Sequence, residues 1–92
     1  MIQMMKTIKE LMQDKKTITD LCYCINNKIN FNKLDQKNQE AFKQIEKRFW
    51  YLFDKKYKLS FREFNTLVFN IGNYLDDGLH YEDIYFKLKT EV

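Results

Sequence analysis

Apolar residues recur every three or four positions along almost the whole chain, and this spacing constrains the fold more than any other feature. A helix completes a turn in about 3.6 residues, so the spacing places apolar side chains on one face of successive helices. The 92 residues include no proline and only two glycines, which leaves few points where a helix must end. The sequence therefore predicts an all-α fold, a compact bundle of four to five short helices forming a single domain over residues 1–92.

Two helices are predicted before residue 35. The first is expected over residues 2–14, with an apolar face formed by Ile2, Met5, Ile8, Leu11 and Met12. The second is expected to begin at Thr17, with Asp20 three residues later as a weak capping box. Its apolar face comprises Ile18, Leu21, Cys22, Ile25 and Ile29. The Asn-rich stretch that follows ends this helix.

Three further helices are predicted after Asp35, which is the expected N-cap of the third, over residues 36–56. The expected buried face of the third helix consists of Ala41, Phe42, Ile45, Phe49, Leu52 and Phe53. The fourth begins at a capping box of Ser60 and Glu63, flanked by the apolar pair Leu59 and Phe64. Its buried face is expected to hold Phe61, Phe64, Leu67, Val68, Ile71, Tyr74 and Leu75, and Gly78 ends it in the left-handed conformation. The fifth, over residues 81–90, buries Ile84, Tyr85 and Leu88.

The charge distribution and the amino-acid composition bear on the kind of partner, the source genome and the location of the protein. The net charge is +3, and it is uneven, since residues 1–58 carry 13 basic and 7 acidic side chains while residues 59–92 carry 3 and 6. Such an asymmetry is expected either from ordinary solvated helix faces, which is the favoured interpretation, or from a surface that orients a charged partner. Abundant Lys, Asn, Ile, Phe and Tyr are typical of AT-rich genes, such as those of a low-GC bacterium, its phage or plasmid, or a virus. No apolar run reaches the length of a signal peptide or a membrane span, so we expect a cytoplasmic location, in the bacterium or in a host cell.

Residues able to carry chemistry are sparse. Cys22 and Cys24 lack the Cys-x-x-Cys redox spacing, and no second pair completes a zinc site, so we expect both to be buried in a reducing compartment. His80 is the single histidine, and the acidic residues around it lack the spacing of a calcium loop. There is no Gly-rich phosphate loop and no Ser-His-Asp set. We therefore expect no enzymatic activity, no cofactor and no bound metal.

The stretch KRFWYLFDKK, residues 47–56, bears most directly on function. Its five consecutive apolar residues sweep about 400° around a helix, so they cannot all face one neighbour. Either the third helix is central, with neighbours on several sides, or Trp50 and Tyr51 are partly exposed. In the second case Trp50, Tyr51, Lys43, Lys47 and Lys55 form a docking patch, because Trp and Tyr are enriched at binding hot spots. A patch of this kind would also suit a homodimer.

Two features favour nucleic acid instead. Basic residues lie among aromatic ones, a mixture that binds single strands by charge and stacking, and the residues concerned are Lys43, Lys47, Arg48, Lys55 and Lys56. The last two predicted helices have helix-turn-helix proportions, with Lys87 on the second of them. Glu82 and Asp83 at the start of that helix would however face phosphates, which repel them.

Residues 56–64, KYKLSFREF, resemble the start of a late helix in the cytoplasmic immunity proteins of pediocin-like bacteriocins, which are antiparallel helical bundles. The resemblance covers nine of 92 residues and transfers no functional residue. Size and charge also resemble those of phage-encoded anti-restriction and anti-CRISPR inhibitors, which share no common motif. We therefore expect a non-enzymatic protein of inhibitor or immunity type that binds a larger protein. The alternative is a helix-turn-helix-like regulator that binds DNA or RNA.

Overall fold

The structure, a computed structural model, describes residues 4–91. These form the helices α1 (Ile8–Leu11), α2 (Lys15–Ile29), α3 (Gln36–Lys56), α4 (Phe61–Asp76) and α5 (Tyr81–Thr90), with a 3₁₀ turn at Phe31–Lys33. The only β pairing within residues 4–91 is an isolated bridge between Lys6 and Tyr57. The predicted all-α bundle of short helices is therefore confirmed.

The core is built around α2, which packs against α3, α4 and α5. The buried residues of α2 are Ile18, Leu21, Cys22, Cys24 and Ile25. From α4 come Leu67 and Ile71, and from α5 come Ile84, Tyr85 and Leu88. In contrast, α3 buries only Phe42 and Phe53 along its 21 residues. The central position predicted as one possibility for the third helix thus belongs to α2.

The first helix is shorter than the predicted 2–14, because the chain before Ile8 is extended. The Lys6 N–H donates to the Lys56 carbonyl at 2.9 Å, and the Lys58 N–H donates to the Lys6 carbonyl at 3.0 Å. Backbone groups engaged with another segment in this way are not available for a helix. Of the apolar face predicted here, Leu11 is fully buried and Met5 is exposed, while Ile2 lies outside the described residues.

The second helix begins earlier than predicted, since its N-cap is Asp14 and not Thr17. The Asp14 carboxylate accepts from the Thr17 N–H at 3.2 Å and from the Thr17 hydroxyl at 2.7 Å. Thr17 is therefore the third residue of α2, where its N–H needs a partner outside the helix. Asp20 pairs with Lys16 at 2.8 Å instead of closing a capping box. At the other end, Ile29 is exposed, contrary to the prediction, because the chain turns away into Phe31–Lys33.

The predicted caps of α3 and α4 are confirmed. Asp35 accepts from the Asn38 N–H at 2.8 Å, and α3 spans the expected residues. At the start of α4 the Ser60 N–H donates to the Glu63 carboxylate at 2.8 Å, and the Glu63 N–H donates to the Ser60 hydroxyl at 3.1 Å. Both contacts satisfy donors that a helix leaves free in its first turn.

The turn between α4 and α5 is closed by Gly78, with φ of +83°. Its N–H donates to the Leu75 carbonyl at 3.0 Å, and the Leu79 N–H donates to the Tyr74 carbonyl at 3.1 Å. Together these bonds make a complete Schellman motif, and the prediction for Gly78 is confirmed. The motif directs α5 back onto α2 and α4, where its three predicted core residues are buried.

The predicted buried faces of α3 and α4 are too wide. Ala41, Ile45 and Leu52 on α3 are exposed, as is Phe61 at the first position of α4. Phe42 and Phe53 are about three turns apart and lie along one line of α3, which is the line that contacts the rest of the bundle. Apolar residues to either side of this line extend beyond the edge of the neighbouring helix.

Candidate functional site

Four of the predicted binding residues follow one line along the exposed side of α3. Lys43, Lys47, Tyr51 and Lys55 are spaced four residues apart, which puts them on one face of the helix, and all four are exposed. Tyr51 exposes 60% of its surface, and the Lys55 Nζ lies 4.4 Å from the centre of its ring. A cation over an aromatic face is a weak attraction that holds the lysine beside the ring. We call these four residues the outer row.

Trp50 lies on a different side of α3 from Tyr51, because consecutive helical residues differ by about 100°. Its ring centroid is 5.5 Å from that of Phe53 and 5.6 Å from that of Phe64 on α4, both in edge-to-face arrangement. The indole is half-buried and faces a cleft that Phe61 also lines. Trp50 therefore joins α3 to α4 and leaves one edge accessible, whereas Tyr51 projects outward.

The opposite side of α3 borders a groove of about 710 Å³ that separates it from α2. Ile45 and Leu52, which expose 47% and 53% of their surfaces, lie on its α3 side. We call this feature the α2–α3 groove, and its lining includes Tyr23, Cys24, Ile45, Arg48, Phe49 and Leu52. Sequence reasoning assigned Ile45 and Leu52 to the core and so missed this groove. Their helical spacing is the same for a buried and an exposed apolar face.

The basic residues proposed for nucleic acid are divided by the fold. Lys43, Lys47, Arg48 and Lys55 remain together on α3. Lys56 is bound to Asp14, with Nζ to Oδ2 at 2.9 Å. Lys87 lies on α5, which packs on α2 and α4, with its Nζ 5.7 Å from the Tyr74 ring centre. On α5, Glu82 forms an ion pair with Lys15 of α2.

A carboxylate network at Asp14 was also missed by sequence reasoning. Besides the Thr17 contacts, Asp14 accepts from the Tyr57 hydroxyl at 2.6 Å and from the Lys56 ammonium. Burial opposes ionisation of this carboxyl, but hydrogen bonds from Tyr57, Thr17 and Lys56 outweigh it and hold its pKa well below the ordinary value. Burial and the same carboxylate raise the pKa of Tyr57. The spacing of Asp14 and Thr17, three residues apart, was the available signal for the cap.

The two thiols are free and buried, as predicted. Burial raises the pKa of Cys22 to about 12 and that of Cys24 to about 11, so both thiols are protonated at neutral pH. A protonated thiol is a poor nucleophile and a poor metal ligand. Across the described part of the chain, no group of three or more His, Cys, Asp or Glu side chains is placed to hold a metal ion.

Exposed aromatic residues also occur on α4, where Phe61 exposes 84% and Phe69 exposes 68% of their surfaces. Phe69 lies one position beyond Val68, off the apolar face of α4, as Trp50 lies off that of α3. No helix between residues 4 and 91 combines the length and the apolar composition that crossing a membrane requires. No protein-family model, curated protein or solved structure matches this chain.

Proposed function

We propose that this protein acts by binding a larger protein through α3 and catalyses no reaction. The observation that carries the proposal is that α3 buries two of its 21 residues and yet exposes Ile45, Tyr51 and Leu52. Ile45 and Leu52 lie beside α2 and Tyr51 lies on the outer side of the helix, and large apolar side chains exposed on a small globular protein are typical of an interaction site. Folding alone gives no reason for this helix to extend its apolar surface beyond its neighbours.

The outer row combines an aromatic anchor, Tyr51, with a rim of lysine side chains. Tyr51 is a large side chain with few rotatable bonds, and such residues contribute strongly when a partner buries them. The lysines around it form a charged rim that guides an oppositely charged partner towards the helix. Trp50 supports this surface by holding α3 against Phe64, and its accessible edge adds apolar area.

The proposed mode of action is occupation of a surface on the partner, as in proteins of inhibitor or immunity type. A chain of 92 residues has little volume for a deep substrate cavity, and the apolar concavity beside α3 is an open groove. Origin from a phage, a plasmid or a low-GC bacterium, suggested by the AT-rich composition, would suit such a role.

The proposal is tested by capture of the partner from the source cell on immobilised protein. Tyr51→Ala combined with Lys47→Glu should reduce capture at least about tenfold, because it removes the anchor and reverses part of the rim. Phe69→Ala is the matched control, since it deletes an equally exposed aromatic side chain from another helix. Equal capture by the outer-row variant and the wild type would contradict the proposal. Sedimentation of the isolated protein distinguishes a homodimer from a complex with another protein.

A nucleic-acid function is the second candidate, and the observation that favours it is that α3 holds four of the predicted basic residues, Lys43, Lys47, Arg48 and Lys55, all of them exposed. It predicts affinity for DNA or RNA that falls steeply with salt and is lost on charge reversal at Lys43, Lys47, Lys55 and Lys87. A gel shift at low ionic strength tests this directly. Absence of retention there would remove this candidate and leave the protein partner.

A further inference from the structure

The α2–α3 groove presents apolar side chains at the spacing of a helix–helix seam. Ile45, Phe49 and Leu52 are separated by four and then three residues, which is the pattern by which one helix packs along another. On the opposite wall, Tyr23 and Cys24 of α2 complete the apolar lining. Two helices flanking such a groove provide the seat for a third helix, lying along both.

The groove is apolar without being filled by the chain itself. Phe53 and Cys24 are buried at its floor, whereas Ile45 and Leu52 on its α3 side remain about half exposed. From Ile45 to Leu52 the helix rises about 10 Å, which corresponds to two turns of an occupant lying alongside. The shape and lining therefore suit an amphipathic helix better than a compact small molecule.

The charged residues that line the α2–α3 groove indicate which kind of helix would bind there. Lys16, Asp20 and Lys56 all line the groove, but Lys16 is paired with Asp20 and Lys56 is paired with Asp14. Arg48 also lines it, and among residues 4–91 no carboxylate forms an ion pair with this guanidinium. The whole of α3 carries six basic and three acidic residues. An occupant with carboxylates along its edges is attracted by this surface, whereas a second copy would place two positively charged α3 helices against each other.

We propose that the α2–α3 groove binds an acidic amphipathic helix of the partner. Its apolar residues would contact Ile45, Phe49 and Leu52, and one of its carboxylates would pair with Arg48. This inference rests on the proposed function, because it specifies the chemistry of the same partner. It adds a second contact face to the outer row, on the other side of α3.

The probe for the experiment is a fluorescein-labelled peptide of about four helical turns, with leucines at three- and four-residue spacing and glutamates elsewhere. Fluorescence anisotropy at low ionic strength measures its affinity for the wild-type protein. A counterpart with lysine at every glutamate position should bind at least about tenfold more weakly. Leu52→Asp and Arg48→Glu should each weaken binding of the acidic peptide at least about tenfold.

Matched controls are available on α4. Phe69→Asp places a charge on an equally exposed apolar position, and Arg62→Glu reverses an exposed arginine outside the groove. Both should bind the acidic peptide as the wild type does. Circular dichroism melts of all four variants verify folding, and Arg48→Glu keeps the test decisive if Leu52→Asp proves unstable.

Three results with the isolated protein would overturn the inference. The first is equal affinity for the acidic and the basic peptide, and the second is unchanged affinity in both groove variants. The third is a wild-type dimer that Leu52→Asp dissociates, since this would assign the groove to a second copy. Partner capture separates the two proposals: loss with the outer-row variant but not with Leu52→Asp removes the groove inference alone. Loss with Leu52→Asp but not with the outer-row variant contradicts the contact through the outer row and supports the groove, and capture unaffected by either variant removes both proposals.

Discussion

Asp14 connects three segments of the chain through one carboxylate. It caps α2 through Thr17, holds the end of α3 through Lys56, and accepts from Tyr57, whose backbone bridges to Lys6. Each of these contacts involves a charged acceptor, and such hydrogen bonds are stronger than neutral ones. One side chain at the start of α2 therefore makes polar contacts with three segments of the chain.

Replacement of Asp14 by alanine should destabilise the protein by about 2–3 kcal/mol, combining a lost cap with lost charged hydrogen bonds. Urea denaturation followed by circular dichroism measures the change. Asp20→Ala is the control, because it removes an exposed carboxylate from the same helix and only its pair with Lys16. Equal losses in the two variants would show that the network adds nothing beyond a surface ion pair.

The same carboxyl should make stability depend on pH in the acid range. Its pKa is lower in the folded protein than the ordinary 3.8 of the unfolded chain, so folding favours the ionised form. The resulting stabilisation is fully present above that value and is lost as the pH falls below it. Asp14→Asn should flatten the decline of stability below about pH 4, measured by urea denaturation at several pH values. Glu82, whose pKa Lys15 lowers, leaves a residual slope, and parallel slopes in variant and wild type would contradict the assignment.

Gly78 and Gly72 form a natural pair for testing backbone conformation. Gly78→Ala should cost about 1–2 kcal/mol, because a Cβ strains the left-handed conformation at φ of +83°. Gly72→Ala should instead stabilise by about 0.5–1 kcal/mol, since it lies within α4 and an added Cβ meets no atom within 4 Å. Thermal melts of both variants measure the two shifts. Shifts of the same sign would contradict the Schellman assignment.

Two neighbouring aromatic residues of α3, Trp50 and Tyr51, should differ in how much they contribute to the stability of the protein. Trp50→Ala should destabilise by about 2–3 kcal/mol, because the indole packs on Phe53 and Phe64 across the α3–α4 cleft. Tyr51→Ala should change stability by about 0.5 kcal/mol or less, as expected for an exposed position. Urea denaturation compares the two. A negligible effect of Trp50→Ala on stability would show that the indole does not stabilise the fold. It would then favour assigning Trp50 to the docking patch with Tyr51.

Sequence alone predicted the helices with strong caps. Each of these caps acts on backbone groups only a few residues away along the chain, so its effect can be predicted without the tertiary structure. The caps are Asp35, the capping box of Ser60 and Glu63, and Gly78. The start of α2 was misplaced although its cap is local, since Asp14 and Thr17 are three residues apart. The further contacts of Asp14 with Lys56 and Tyr57, more than 40 positions away, could not be predicted from the sequence.

The exposure of Ile45 and Leu52 could not be predicted for a related reason. Periodicity shows which side of a helix is apolar, but the position of the neighbouring helix determines how much of that side is covered. The residues of the outer row were named from the sequence, but as part of a patch that also included Trp50, because five consecutive apolar residues cannot all face one neighbour. The 100° between consecutive helical residues already separates Trp50 from Tyr51, but the contact of the indole with Phe64 of α4 required the tertiary structure.

Within the molecule as a whole, buried contacts are concentrated on one side. The described part measures 43 × 32 × 21 Å, so its least extent is about that of two packed helices. α2, α4 and α5 share the main core, while α3 lies at its margin with Phe53 as its only residue among the buried members of that core. Phe42 instead packs in a small group with Tyr23 and Phe31.

This distribution predicts that α3 opens locally before the rest of the protein unfolds. Amides of α2 between Leu21 and Ile25 should exchange with solvent only on global unfolding, whereas those of α3 around Ile45 to Arg48 should exchange through an opening that costs about 1–3 kcal/mol less. Native-state hydrogen exchange by NMR measures both free energies. Leu21→Ala should lower the global value by about 2–5 kcal/mol, since the side chain is fully buried.

The free energy of the local opening should respond much less to that substitution, because opening α3 leaves α2 packed against α4 and α5. If the amides of both helices instead share one free energy of exchange, and Leu21→Ala lowers both equally, α3 belongs to the same cooperative unit as α2. The exposed apolar side of α3 would then be fixed in place by the core. A partner would meet a rigid surface and would not need to order the helix on binding, which would favour fast association over selection of a rarely populated conformation.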